Sequence, residues 1–216
     1  MFKVQKLDLL VSLYVFCICV AELMGAKTFP LVNLFGYQLN ASVAIFVLPL
    51  IFSINDVITE AYSKERTRSL IRSGLVVVFL ILMFSLLATS LPTSTRFSTS
   101  EKAYDQIFGL SARISAASLI AFILAEFLDV LVFVKIREKL GKKALWLRNN
   151  FSNFISQFVD TAVFMILAFY ALDRSFGDNI NFLTSLILPY WLLKCLMSVL
   201  VTPFVYIGVK WLKEKQ

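Results

Sequence analysis

Along most of this chain the polar positions do not interleave with the apolar ones. Apolar stretches run for twenty residues or more and are separated by short clusters of charged and turn-forming residues. A helix crosses the roughly 30 Å of bilayer hydrocarbon in about 20 residues, whereas a spanning strand alternates apolar and polar over about 10. The continuous runs therefore predict helices, over residues 7–28, 38–62, 70–91, 110–136, 150–172 and 182–210. Six transmembrane helices leave no soluble domain. Residues 1–216 read as a single transmembrane domain of an all-α, polytopic integral membrane protein.

Composition agrees: 59% hydrophobic residues, 16% charged residues and a mean hydropathy of +0.80 suit no water-soluble domain of this length, which makes the lipid bilayer the first partner. The net charge of +7 raises nucleic acid as a partner, but the basic residues sit in short segments between apolar runs rather than on one soluble face, so nucleic acid is excluded. They read as topology signals. Lysine and arginine gather at Lys3 and Lys6, over 64–72, over 135–148 and over 210–215, whereas the alternate connections hold only Lys27, Arg96, Lys102 and Arg174. By the positive-inside rule both termini are cytoplasmic. The first apolar run is followed by Glu22, Met24 and Lys27 rather than a small-residue cleavage site, so it is read as a retained helix.

Several chemistries drop out. The seven glycines fall at predicted helix ends or in loops, so no phosphate-cradling loop or nucleophile elbow can be assembled. Histidine is absent, which removes the commonest general base and proton relay. Cys17, Cys19 and Cys195 are odd in number, lie in apolar helices and lack metal-ligand spacing. No enzyme, cofactor or metal site is expected. An intramembrane enzyme would rest on paired carboxylates such as Glu126 and Asp129 alone.

The informative residues are the ionisable ones inside the apolar runs, since each costs about 2.5 to 3.5 kcal/mol at the bilayer centre unless it is paired or faces a cavity. They are Glu22, Asp56, Glu60, Arg113, Glu126, Asp129, Asp160 and Lys194, of which Glu22, Glu60 and Arg113 lie near enough to a helix end to snorkel. Residues three or four apart share a helix face. Asn55 and Asp56 thereby join Thr59 and Glu60, Glu126 joins Asp129, and Asn149, Asn153, Gln157 and Asp160 form one polar stripe on the fifth helix. Such a stripe cannot face lipid. Lys194 has no charged neighbour within four residues, so its partner must be a carboxylate on another helix, Asp160 first. Two readings of this polar interior stand: a ligand-free hydrogen-bond network, or a hydrated solute pathway whose surplus carboxylates await a cation or a proton.

A weak internal echo, Asp56-Val57 with Lys64 and Arg66 against Asp129-Val130 with Arg137 and Lys139, fits either duplication or positive-inside charges repeated by chance. Trp146, Trp191 and Trp211 are read as interfacial belt residues.

Segments spread over the whole chain resemble the queuosine precursor transporter family, also called the vitamin uptake transporter family. They are F-V-L-P-L-I-F-S-I-N-D-V-I-T-E-A-Y (46–62), A-R-I-S-A-A-S (112–118), E-F-L-D-V-L-V-F (126–133) and L-R-N-N-F-S-N-F-I-S-Q-F-V-D-T (147–161), completed by Lys194 and Pro203. The resemblance implies uptake of 7-deazaguanine bases, namely 7-cyano- or 7-aminomethyl-7-deazaguanine or queuine, across a bacterial cytoplasmic membrane. It implies Asp160, Gln157, Asn153, Asn150 and Lys194 at the solute, with Asp56, Arg113, Asp129, Glu126 and Glu60 in gating or structural ion pairs. The chemistry is compatible: one carboxylate can accept two adjacent N–H donors of a guanine-like base, and side-chain amides can donate to its carbonyl. The rival reading is a substrate-binding membrane subunit of a partner-energised vitamin transporter. Ala21 and Gly25 form one small-xxx-small pair that would serve such a partner, ordinary packing or a homodimer.

Overall fold

A computed structural model describes the backbone of residues 5–140, 145–200 and 202–213; the side chains at 129–130, 133–134, 136–140, 145–153, 197–200, 202–204 and 213 lie outside the description. The first apolar run forms α1 (Lys6–Met24), which turns one stripe inward, Tyr14, Cys17, Ile18 and Glu22, and leaves Leu9 and Phe16 facing outward. That split is what a bilayer helix needs: lipid is as apolar as leucine, so only the packed stripe is specified.

Residues 28–42 depart from an all-α fold. Strands β1 (Thr28–Leu34) and β2 (Tyr37–Ser42) pair antiparallel, with Leu34 opposite Tyr37 across the two-residue turn Phe35-Gly36. Both turn residues have positive φ, 52° and 85°, which gives the twist a tight hairpin requires. The Asn33 side chain accepts the Gly36 N–H at 3.0 Å. The second helix was expected from residue 38, but over 37–42 side chains alternate, with Leu39 and Ala41 buried, and a hydropathy window cannot separate an uncharged strand from a helix end. β2 lies along α6 (Phe176–Leu200): Tyr37 Oη donates to the Asn181 carbonyl at 2.8 Å, Asn40 Nδ2 to Ser185 Oγ at 2.8 Å, and Tyr190 Oη to the Ser42 carbonyl at 3.0 Å.

After a 3₁₀ turn at Val43–Phe46, the chain enters α2 (Leu48–Ala61) with Pro49 in its first turn, where the missing N–H is harmless. Helix α3 (Lys64–Ser90) is capped by Ser63, whose hydroxyl accepts the Arg66 N–H. Tyr14, Ile18, Ile54, Ile58, Leu70 and Val78 join α1, α2 and α3 into one core cluster. Helix α4 (Ser98–Leu140) is longer than the expected 110–136; its 43 residues extend about 64 Å, well beyond the hydrocarbon. Its small residues Ser111, Ala112, Ser115, Ala117 and Ala121 are buried, allowing close approach of α1 and of α5 (Leu145–Phe169).

Helix α6 contains Pro189, which offers no N–H to the Ser185 carbonyl, and it ends at Leu200. The expected single helix over 182–210 is therefore two. Pro203 sits in the first turn of α7 (Thr202–Lys213), where its fixed φ suits a new helix but cannot continue an old one. Helix α7 packs on α2, and Lys6 Nζ donates to the Trp211 carbonyl at 2.6 Å while lying over the Trp211 ring, so the two end helices meet. Ala21 and Gly25 are used within the chain: Ala21 lines an internal cavity, and a Cβ on Gly25 would stand 3.6 Å from that of Ala44.

Among the described residues four segments are long and apolar enough to cross a membrane, Lys6–Met24, Val43–Ala61, Lys64–Ser90 and Ser98–Leu128, and Phe154–Phe169 is a shorter apolar helix. The chain is a helical, multi-pass membrane protein.

Candidate solute-binding cavity

Helices α1 to α6 all contribute to one cavity of about 240 Å³ inside the bundle. Its walls are chiefly apolar, with Ile18, Leu48, Val78, Phe122, Phe164 and Met165 among them, and its polar groups come from Glu22, Ser118, Asp160, Thr161, Tyr190 and Lys194. An apolar chamber with a few convergent polar groups is the usual build of a small-molecule site.

The central polar feature is an ion pair: Lys194 Nζ donates to Asp160 Oδ2 at 2.6 Å, joining α6 to α5. It is the contact expected from charge and periodicity. Both side chains are largely withdrawn from solvent, Lys194 more so than Asp160. Tyr190 lies one turn before Lys194 on the same face, buried, with its hydroxyl tied to the hairpin through Ser42. Ser42 in turn donates to the Gly25 carbonyl at 2.6 Å, so hairpin, α6 and the end of α1 are hydrogen-bonded together at one end of the cavity. Trp191 packs against Phe154 and Phe158 with ring centroids 4.7 and 5.5 Å away, which places it in the α5/α6 seam.

Glu22 is where sequence reasoning fell short. Near the end of α1 it was expected to snorkel, yet it is only 6% exposed, lines the cavity, and accepts a hydrogen bond from Ser115 Oγ at 3.0 Å. Ser118, one turn along α4, is the second hydroxyl beside the carboxylate. The serines of the 112–118 segment were the signal available: hydroxyls at helical spacing on an otherwise apolar face imply an acceptor on the facing helix.

None of the remaining expected residues is among the described residues that line the cavity. Gln157 precedes Thr161 by one turn on α5, and its backbone carbonyl accepts the Thr161 hydroxyl at 2.8 Å. Asn150 and Asn153 are on α5, but their side chains lie outside the described residues, as does that of Asp129 on α4. Asp56, Glu60 and Glu126 are exposed and form no ion pair with any described residue. Arg113 is also exposed, and its guanidinium donates to backbone instead, Nε to the Leu167 carbonyl at 2.8 Å and one terminal nitrogen to the Tyr170 carbonyl at 2.6 Å. It thus satisfies carbonyls orphaned at the end of α5, at the negative pole of that helix. The polar face read on α2 is real but inward only in part: Thr59 Oγ1 donates to the Asn55 carbonyl and lies 2.7 Å from Thr67 Oγ1, pinning α2 to α3, while Asp56 and Glu60 point away.

No solved structure matches the chain. Residues 42–208 match the family described as "Putative vitamin uptake transporter". A relative from Bacillus subtilis (strain 168), described as "Probable queuosine precursor transporter", is 30% identical over 206 residues, covering 95% of this chain and 85% of the relative. The family match takes in α2 to α6 and most of α7, and with them most of the cavity wall; the chain belongs to the vitamin uptake transporter family.

Proposed function

We propose that this protein imports queuosine precursors, 7-deazaguanine bases such as 7-cyano- or 7-aminomethyl-7-deazaguanine or queuine, across a bacterial cytoplasmic membrane for tRNA queuosine salvage. The observation that carries this reading is the cavity shared by α1 to α6, with the Asp160–Lys194 pair on its wall. The family match and the printed description of the Bacillus subtilis relative support the solute class.

In this reading the whole chain is one transporter domain of six spans with both termini in the cytoplasm. Contact between Lys6 and Trp211 supports an even number of crossings, because it joins the first helix to the last. The solute, a flat base, lies in the apolar chamber, with Asp160, Gln157, Lys194, Asn153 and Asn150 at its polar edges. Lys194 spends one N–H on Asp160 and keeps two donors for a carbonyl. Asp56, Asp129, Glu126 and Glu60 act away from the solute, in gating or structural contacts, and Arg113 holds the end of α5. Access alternates between the two sides around this one site.

The test is uptake of labelled 7-deazaguanine bases into proteoliposomes that contain only this protein, with and without an imposed proton gradient. Accumulation that follows the gradient is the signature of a self-sufficient coupled carrier, and equilibration alone that of a facilitator. Binding without movement would instead assign the chain to a partner-energised system, and neither binding nor movement would overturn the solute class.

A further inference from the structure

Three charged groups line the cavity among the described residues: Glu22, Asp160 and Lys194. Asp160 and Lys194 neutralise each other at 2.6 Å, which leaves Glu22 as the carboxylate without a cation. It is more than nine-tenths buried and makes no ion pair with a described residue; its partners are the hydroxyls of Ser115, at 3.0 Å, and Ser118. Two hydroxyls donate at most two hydrogen bonds to a carboxylate that offers about four acceptor positions on two oxygens. The group is thus held in place on the α4 side and left with acceptor capacity in a chamber whose lining is chiefly apolar.

We propose that Glu22 determines which solutes the cavity accepts, its carboxylate receiving two adjacent N–H donors from the planar edge of the bound base. This rests on the cavity being the solute site described above, and it moves the donor-pair contact from Asp160, whose charge Lys194 already neutralises, to Glu22. The ring N–H and the exocyclic amino group of a 2-amino-pyrimidinone ring are such a pair, parallel and spaced to suit a carboxylate, and the adjacent ring carbonyl faces a donor such as the Lys194 ammonium. Two poles then read one edge: an acceptor on α1 and a donor on α6, across walls that suit the ring faces. A solute without the amino group would bury the carboxylate with its acceptors unfilled, which is how sites built on hydrogen bonds reject close analogues.

The experiment measures binding of 7-cyano-7-deazaguanine, and of its analogue with hydrogen replacing the amino group, to the purified protein in nanodiscs. Wild type is expected to prefer the amino-bearing base by about tenfold or more. Glu22→Gln, whose amide nitrogen cannot accept, is expected to bring that preference below about threefold, and Glu22→Asp to weaken the amino-bearing base while keeping a preference. Asp160→Asn is expected to weaken both bases alike. Full preference in Glu22→Gln, or equal binding of both bases by wild type, would overturn the role of Glu22 while leaving the cavity as the solute site. Failure of intact wild type to bind either base would overturn the solute reading and this inference together. If Glu22→Gln does not yield folded protein, Glu22→Asp decides alone: equal weakening of both bases would overturn the proposal.

Discussion

Lys194 on α6 places its ammonium 2.6 Å from the Asp160 carboxylate on α5, thirty-four residues earlier in the chain, and the pair forms part of the wall of the central cavity. An ion pair in this position links two properties that can be separated. It holds α5 against α6, and it sets donors and acceptors at the solute.

Breaking the pair should cost more than the roughly 1 kcal/mol of an exposed pair and less than the roughly 3–5 kcal/mol of a fully buried one, since Asp160 retains 31% side-chain exposure. Asp160→Asn and Lys194→Gln are each expected to lower thermal stability in detergent and to abolish uptake of 7-deazaguanine base into cells, with the protein still present in the membrane. The double variant Asp160→Leu with Lys194→Met, which replaces the pair by apolar groups, should regain stability but not uptake. Normal transport by Asp160→Asn, or by the double variant, would make the pair purely structural.

How much of this was legible beforehand depended on which physical signal carried each feature. The membrane helices and the Lys194–Asp160 contact follow from terms a sequence displays directly: apolar length, and the cost of an unpaired charge in hydrocarbon. The hairpin over 28–42 was hidden because those residues carry no charge, and hydropathy measures transfer from water rather than backbone shape. Glu22 was misread for a related reason. Position near a helix end suggested snorkelling, whereas burial is decided by the serines of α4, ninety-three or more residues away, which only the packing brings alongside. Arg113 shows the converse: its charge demanded a partner, but backbone carbonyls at a helix end, invisible as charges, supplied it.

Close helix packing makes a second set of expectations. A Cβ on Gly208 of α7 would stand 2.7 Å from a methyl of Val57 on α2, and valine, branched at Cβ, cannot swing that methyl away. Gly208→Ala should therefore destabilise the protein by about 1–3 kcal/mol, as overpacking does. A Cβ on Gly74 would stand 2.7 Å from Ile18 Cδ1 and 3.0 and 3.2 Å from Cε1 and Oη of the buried Tyr14 ring, so Gly74→Ala should be destabilising as well. Gly109 meets nothing within 4 Å inside α4, and Gly109→Ala should be neutral or stabilising by about 0.5–1 kcal/mol. Melting temperatures in one detergent would set Gly109→Ala apart from the other two, and a neutral Gly208→Ala would contradict the α2/α7 contact.

Arg113 is expected to act on stability rather than on the solute. Arg113→Ala removes two charge-assisted hydrogen bonds to the Leu167 and Tyr170 carbonyls and should lower stability by about 1–3 kcal/mol. Arg113→Lys, with a single point of charge in place of a planar fork, should recover only part of that loss. Apparent affinity for the base, measured on the folded fraction, is expected to change by less than about threefold. A large loss of affinity at unchanged stability would instead place Arg113 at the solute.

Tyr190 separates the hairpin from the charged wall. Its hydroxyl donates to the Ser42 carbonyl at 3.0 Å, whereas its ring lines the cavity one turn from Lys194. Tyr190→Phe keeps the ring and deletes the bond, so the wall should persist while β2 loses one of its attachments to α6; Tyr37 and Asn40 supply the others. The variant should exchange amide hydrogens faster over residues 28–42, by a factor corresponding to about 1 kcal/mol or roughly fivefold, with the rest of α6 unchanged. Affinity for the base should stay within about threefold, because Lys194 still meets Asp160. Unchanged exchange over the hairpin would mean that packing of Leu39 and Ala41, rather than this hydrogen bond, holds it in place, and a collapse of affinity with normal exchange would assign the hydroxyl itself to the solute.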